Sequence, residues 1–367
     1  MSFKYFVTND INIPQYTLTC LLYSIVMIQF KKLINAKALY QEPDRIWVAK
    51  GMTYFAVDYS GKRISSVFNV GGMKDRLLGC HRLSSQLLRV GLLPLKNGNI
   101  LVTAKRRTYL YDKDGNVLNV WTGYQGNKPG HQGVCVTPEG TIFFAEYLLN
   151  PNRDHDIHLW RSIDNGMTFN VVKTWEEGDI RHLHFVKWDK YEHCLWLGTG
   201  DYGDNGSENR LYRSADDGET WELVGQYSQD WRAIGICFTE DALLWGTDAG
   251  SCSDTVHFVR MDRKTRKIEI IQDFEGPCHG CASFAGGRAF FSTGVEGGEN
   301  EKDRYSRMKE YHDGRCENVW KLEKDCWPLI VQYGVMRFPL GTDMCNHVVF
   351  TTMGLKGYRE CVMIEDK

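Results

Sequence analysis

Proline is scarce in this sequence, 9 residues in 367, and so is any imbalance of charge, since 44 Lys and Arg stand against 46 Asp and Glu. A formal net charge of -2 with the two signs interspersed leaves no electropositive face of the kind that gathers phosphates, so a nucleic-acid partner is not expected. The apolar stretch from Thr17 to Phe30 falls short of the roughly 20 residues needed to cross a bilayer, so no membrane span is expected. Its flanks do not suit an export signal either. Lys4 is the only basic side chain before it and Asp10 offsets it, while Lys31 and Lys32 follow the run, the reverse of the usual order. Although Ala36-Lys37-Ala38 imitates a cleavage site, we read the stretch as a strand or helix packed on the rest of the chain, with Met27 as an alternative start. Paired metal-binding cysteines are also lacking. Cys278 and Cys281 form a C-x-x-C that no second pair answers, which excludes a standard zinc module. The twelve cysteines read as reduced, buried thiols of a cytoplasmic protein, the same even count being compatible with disulfides in a secreted one.

What the sequence has in quantity is glycine, 36 residues, and aromatic side chains, with Trp 11, Tyr 18 and Phe 17. That combination suits many short strands joined by tight turns. A repeat confirms the direction. Five segments share one layout of strand, turn, second strand, loop and hairpin, and their second strands start at Ile100, Ile142, Leu195, Leu244 and Phe290. The steps are 42, 53, 49 and 46 residues, the spacing of propeller blades built from four-stranded sheets. A further unit from Arg45 to Val70 precedes them, and a last one runs from Leu329 through Val348-Val-Phe-Thr351. We therefore expect an all-β single propeller of six or seven four-stranded blades, seven preferred, over 39–367. Residues 1–38 form an N-terminal segment in which a strand, within Phe3 to Val7, would close the ring and remove its exposed edges.

Two copies of one motif lie 52 residues apart, Ser162-Ile-Asp-Asn-Gly-Met-Thr-Phe169 and Ser214-Ala-Asp-Asp-Gly-Glu-Thr-Trp221. Asp164 and Asp216 can accept hydrogen bonds from the turn backbone, Gly166 and Gly218 can take positive φ, and the aromatic residue can pack between sheets. Tyr111-Asp-Lys-Asp-Gly-Asn116 and Tyr311-His-Asp-Gly-Arg315 look like degenerate copies. The motif resembles the Asp box of BNR-repeat, sialidase-like propellers over most of residues 45 to 367. The resemblance implies that Asp164 and Asp216 sit on the outer rim, as folding rather than ligand-binding residues.

The innermost strand of each propeller blade lines a central channel, so the chemistry is sought there. Counting back 11 residues from Ile100, Ile142, Leu195 and Phe290 reaches Arg89, His131, His184 and His279, and 12 residues back from Leu244 is Arg232. His182 shares a strand face with His184 because side chains alternate with period 2. The second strands end in a matching acidic series, Glu146-Tyr147, Asp201-Tyr202, Asp248 and Glu296. The expected catalytic set is His182, His184, Tyr147, Arg232, Glu146 and Asp201. Arg89, His131, Arg181, Trp231, Asp248, His279 and Tyr333 are the expected substrate contacts. Each has an ordinary structural alternative: His131 could satisfy a loop backbone, Arg232 could stack on Trp231, and Glu146 and Asp201 could pair with Arg181 or Arg232.

The fold resemblance, with imidazole, guanidinium, carboxylate and phenol groups in one funnel, implies a carbohydrate-active enzyme on an acidic oligo- or polysaccharide. A polysaccharide lyase needs a cation for the uronate carboxylate, a base for the α proton and an acid for the leaving oxygen. Arg232 or a metal, a histidine, and Tyr147 or Tyr202 could fill those roles. His131, His184 and His279 are compatible with one divalent ion (Mn, Ca or Zn), similar to the site of propeller lyases that act on oligogalacturonate. A sialidase-like glycosidase is the neighbouring reading. It is weakened because Arg45-Ile-Trp47 stands where that family has Arg-Ile-Pro, and only Arg89, Arg181 and Arg232 could form its arginine triad. A non-catalytic binding or assembly propeller is the alternative of a different class.

Overall fold

The computed structural model describes residues 28–65, 67–80, 82, 90–126, 128–201, 206–249, 256–299, 301–341, 347–357 and 359–366. They form seven four-stranded antiparallel sheets arranged as the blades of one propeller, and Met73–Cys80 is the α-helix among them. The blades are seven, as the repeat spacing favours. The innermost strands are, in order, Lys37–Gln41, Gly91–Pro94, Val134–Val136, His182–Asp189, Cys237–Phe238, Cys278–Ser283 and Val335–Arg337. Each is followed by a second strand: Ile46–Lys50, Ile100–Ala104, Ile142–Ala145, Cys194–Gly200, Ala242–Gly246, Ala289–Thr293 and Val348–Met353.

The second strands read as continuous apolar runs because both of their faces are covered by neighbouring blades. In the fourth blade every residue of Cys194–Gly200 is buried. Apolar clusters fill the space between successive blades, for example Phe143, Leu183 and Leu195 between the third and fourth and Phe185, Trp196 and Trp245 between the fourth and fifth. Most tryptophans are structural in this sense. Trp231 lies 5.9 Å from Trp245, ring centre to ring centre, and packs against that cluster.

The ring closes through the N-terminal side of the chain. Ile28–Asn35 is the outermost strand of the seventh blade, paired antiparallel with Glu360–Asp366 from Ile28 opposite Asp366 to Asn35 opposite Glu360. Phe3 to Val7, where the sequence reading put that strand, lies outside the described residues, as does most of the Thr17 to Phe30 run. Phe30 stacks on Trp320 of the sixth blade at 4.6 Å, so the closing strand packs on a neighbour as well as pairing within its own blade.

The two S-x-D-x-G-x-T segments are hairpin turns between third and fourth strands with the same hydrogen bonds. Asp164 Oδ1 accepts from Thr168 N at 2.9 Å and Ser162 Oγ accepts from Gly166 N at 2.9 Å. Asp216 Oδ1 and Ser214 Oγ accept from Thr220 N and Gly218 N at the same distances. A Cβ on Gly218 would lie 2.5 Å from the ring of Phe143 in the preceding blade. The turn therefore needs glycine twice over, for its φ of 81° and for that contact. Both turns join the two outer strands of their blades.

Candidate functional site

The site lies at the end of the channel where the innermost strands start and the second strands finish. Two histidines are placed there by bulges. The pairing of the fourth blade slips between Leu183 and Phe185, and that of the sixth between Cys278 and Gly280, so His184 and His279 are the extra residues of the two innermost strands. A bulge re-aims a side chain out of the regular alternation. Glycines opposite them supply the room. A Cβ on Gly294 would come within 2.1 Å of the His279 ring, and one on Gly200 within 3.0 Å of His184 Cε1.

His182, His184 and Asp201 converge, all buried. His184 Nε2 lies 3.0 Å from Asp201 Oδ1 and 3.2 Å from His182 Nε2, and His182 Nε2 lies 3.3 Å from Asp201 Oδ2. The other ring nitrogens are anchored, His182 Nδ1 on Leu148 O at 3.1 Å and His184 Nδ1 on Ala233 O at 2.9 Å. Arg181 Nη1 donates to Asp201 Oδ2 at 2.8 Å and Arg232 Nη2 to Asp201 Oδ1 at 3.1 Å. Burial works against the charged form of Asp201, but hydrogen bonds from His182 and His184 outweigh it and hold the carboxyl well below its usual range. Burial lowers the His182 imidazole, with Asp201 partly opposing. The Tyr147 ring lies on His182 at 4.1 Å between centres, and burial, aided by Asp201 and Asp248, pushes its phenol up to about 12.

A second cluster consists of Asp248, His279 and Glu296. Its His279 Nε2 is 2.6 Å from Glu296 Oε1. Burial depresses His279, yet the Glu296 charge and hydrogen bond prevail and raise it above the ordinary imidazole value. Asp248 is raised, chiefly by burial, with Arg232 and His279 opposing. Arg232 joins the two clusters, its Nη2 being 3.1 Å from Asp201 and 3.7 Å from Asp248. Either trio has the donor types and convergence to hold a metal ion.

The remaining expected residues are placed as follows. Glu146 is fully buried but turned to its own blade: Oε1 accepts from Gln125 N and Trp160 Nε1, and Oε2 from His158 N, at 2.8–3.0 Å. His131 Nε2 meets Phe338 O, so this ring satisfies a backbone carbonyl and joins neither cluster. The trio His131, His184 and His279 is not brought together as one ligand set among the described residues. Tyr333 is exposed, its ring 6.5 Å from that of His279, and Trp231 belongs to the core between blades. Arg89 and Tyr202 lie outside the described residues.

One site residue was missed. Arg337 ends the innermost strand of the seventh blade, and its charge acts on His131, Tyr147, His279 and Glu296. It stands 11 residues before Val348, the same offset that finds His131, His184 and His279, so the repeat itself contains the signal.

No family model matches the chain, and no curated protein matches it. Solved structures do. The WD40 repeats of RRP9 superpose with a TM-score of 0.54 at 9% identity, covering 93% of this chain and 97% of that one. The Pan2 WD40 domain of Neurospora crassa gives 0.52 at 12%, covering 91% and 89%. The extracellular domain of a hybrid two-component system of B. thetaiotaomicron gives 0.55 at 10%, over 92% of this chain and 39% of that one. At such identities the likeness is one of fold. The protein is a seven-bladed β-propeller with an acid, imidazole and guanidinium funnel at one mouth, and no described helix is long and apolar enough to cross a membrane.

Proposed function

We propose that the protein is an Asp-box propeller acting on an acidic oligo- or polysaccharide in this funnel, with β-elimination at a uronate as its reaction. The observation that carries the reading is the pair of carboxylate–imidazole clusters bridged by Arg232. Burying so many ionisable groups costs stability even where they are paired, so their retention at one mouth points to a ligand. Arg232, set between the two clusters, is the cation that would take a substrate carboxylate, since guanidinium forks hold carboxylates bidentately. Asp248, with its pKa raised, is the proton acceptor, and His279, held as imidazolium beside Glu296, is the donor. Paired groups whose environments set complementary protonation states are the mark of acid–base chemistry. Asp248 takes the proton α to the uronate carboxylate, the glycosidic C–O bond breaks as the C=C forms, and His279 protonates the departing oxygen. No water is consumed. The free thiols of Cys135, Cys194, Cys237, Cys278, Cys281, Cys316 and Cys361, all buried, support a reducing, cytoplasmic setting.

The test is incubation with a panel of uronate and sialic-acid glycans, following ultraviolet absorbance for the unsaturated product and reducing ends for hydrolysis. Absorbance is expected, with Asp248→Asn and His279→Gln each lowering kcat by about 10²–10⁴-fold. Reducing ends without absorbance would establish a hydrolase instead. Saturable binding without turnover would make the funnel a glycan-binding site.

A further inference from the structure

The hydrogen-bond partners of His182 and His184 decide where their protons are. A backbone carbonyl oxygen only accepts, so the contacts to Leu148 O and Ala233 O put a proton on Nδ1 of both rings. In the neutral imidazole Nε2 is then a lone pair. Those two lone pairs point at each other across 3.2 Å and at the two oxygens of Asp201 across 3.0 and 3.3 Å. With both rings neutral, two lone pairs and a carboxylate that accepts from Arg181 and Arg232 thus meet in one buried place, and either ring donates to Asp201 only when it carries a second proton.

The spacings of these four atoms are those of ligands around a small cation. Ligands about 2.0–2.1 Å from a metal are separated by about 2.9 Å along an octahedral edge and about 3.4 Å along a tetrahedral one. The separations of 3.2, 3.0 and 3.3 Å each fall in this interval, the last two to different oxygens of Asp201. Anchoring Nδ1 on a carbonyl is also how a ligating histidine is oriented and its Nε2 made more basic, and donated hydrogen bonds from Arg181 and Arg232 fix the orientation of Asp201. The three residues come from the start of one innermost strand and the end of its paired second strand, so one sheet preorganises the whole set.

We infer that His182, His184 and Asp201 form the binding site of one divalent transition-metal ion. Two imidazoles and one carboxylate suit Mn²⁺, Co²⁺ or Zn²⁺ rather than Ca²⁺, which takes oxygen ligands. The ligand set differs from the histidine trio expected from sequence, sharing only His184. The inference deepens the reading of the funnel as an acidic-glycan site, because a bound cation would supply Lewis acidity toward a substrate carboxylate.

The test needs no glycan, so its failure and the failure of the glycan reading are separable. The full chain, stripped by chelator and dialysed, is titrated with Zn²⁺ and Mn²⁺ by calorimetry and with Co²⁺ by visible absorption. One ion per chain is expected, with imidazole-type Co²⁺ bands. His184→Gln and Asp201→Asn should each weaken binding at least tenfold, their fold being checked by circular dichroism, whereas His279→Gln should leave it within about twofold. Absence of saturable binding would overturn the inference, the cluster then being closed by a shared proton. Binding abolished by His279→Gln and kept by His184→Gln would also overturn it, placing the ion at Asp248, His279 and Glu296.

Discussion

Glu146 and Asp201 occupy one station of the repeat, directly after the second strand of adjacent blades, yet they do different work. Asp201 faces the channel between two imidazoles and two guanidiniums. Glu146 spends its oxygens on two backbone N–H groups and the Trp160 indole. The sequence position shows that a carboxylate recurs there, but which way it turns depends on donors from a loop and a third strand that no local pattern announces. Glu146→Gln would replace one accepting oxygen with an amide nitrogen facing donors. We expect it to lower the unfolding free energy by about 2 kcal/mol in urea titrations while the funnel keeps its ligand affinity. The histidines were more legible, because period-2 alternation and the 11-residue offset both point inward. Even so, the bulges that lift His184 and His279 out of register could not be read from spacing.

Elements are legible in the sequence where local chemistry and repeat spacing agree. The second strands fall where the apolar runs are, and the hairpin turns fall on the two S-x-D-x-G-x-T segments, because serine, aspartate and glycine each perform a fixed task in the turn. The closing strand was harder. In Ile28–Asn35 exposure alternates at first and then lapses at Lys31 and Lys32, where the register shifts before Ile34, so its pattern is not that of a regular strand. Its removal is a test of closure. A chain lacking residues 28–35 would present Glu360–Asp366 as an unpaired edge and uncover Trp320. Unpaired edges recruit other chains, so the truncated protein should elute at larger sizes than the parent in size-exclusion chromatography. Asp216→Ala tests the hairpins instead. Loss of the Thr220 N and Ser214 Oγ bonds should cost about 1–2 kcal/mol without disturbing oligomeric state.

Across the whole molecule the ionisable groups of the channel mouth set how stability follows pH. His131 is held well below the ordinary imidazole value, first by burial and then by Arg337, Lys128 and Lys37, and burial lowers His182 as well. For such groups the unfolded chain binds the proton more readily near pH 6.5. Their stabilisation is therefore full above that pH and is lost as pH falls toward the folded values. His279 has the opposite sign. Raised by Glu296, it adds stability below about pH 6.5 that disappears as pH rises through its folded value. His131 and His182 make stability rise with pH between about 5 and 6.5, while His279 and Asp248, whose carboxyl pKa is raised by burial, oppose them. His131→Gln, which can still donate to Phe338 O, removes one of the two. The slope of unfolding free energy against pH in that window should fall by up to about 1 kcal/mol per pH unit, less than a full proton would give because the unfolded imidazole is only partly protonated near pH 6.5. Urea titrations at closely spaced pH values measure that slope directly. An unchanged slope would mean that His131 takes up its proton in the folded ring as readily as in the unfolded chain, and that the Arg337 charge does not reach it.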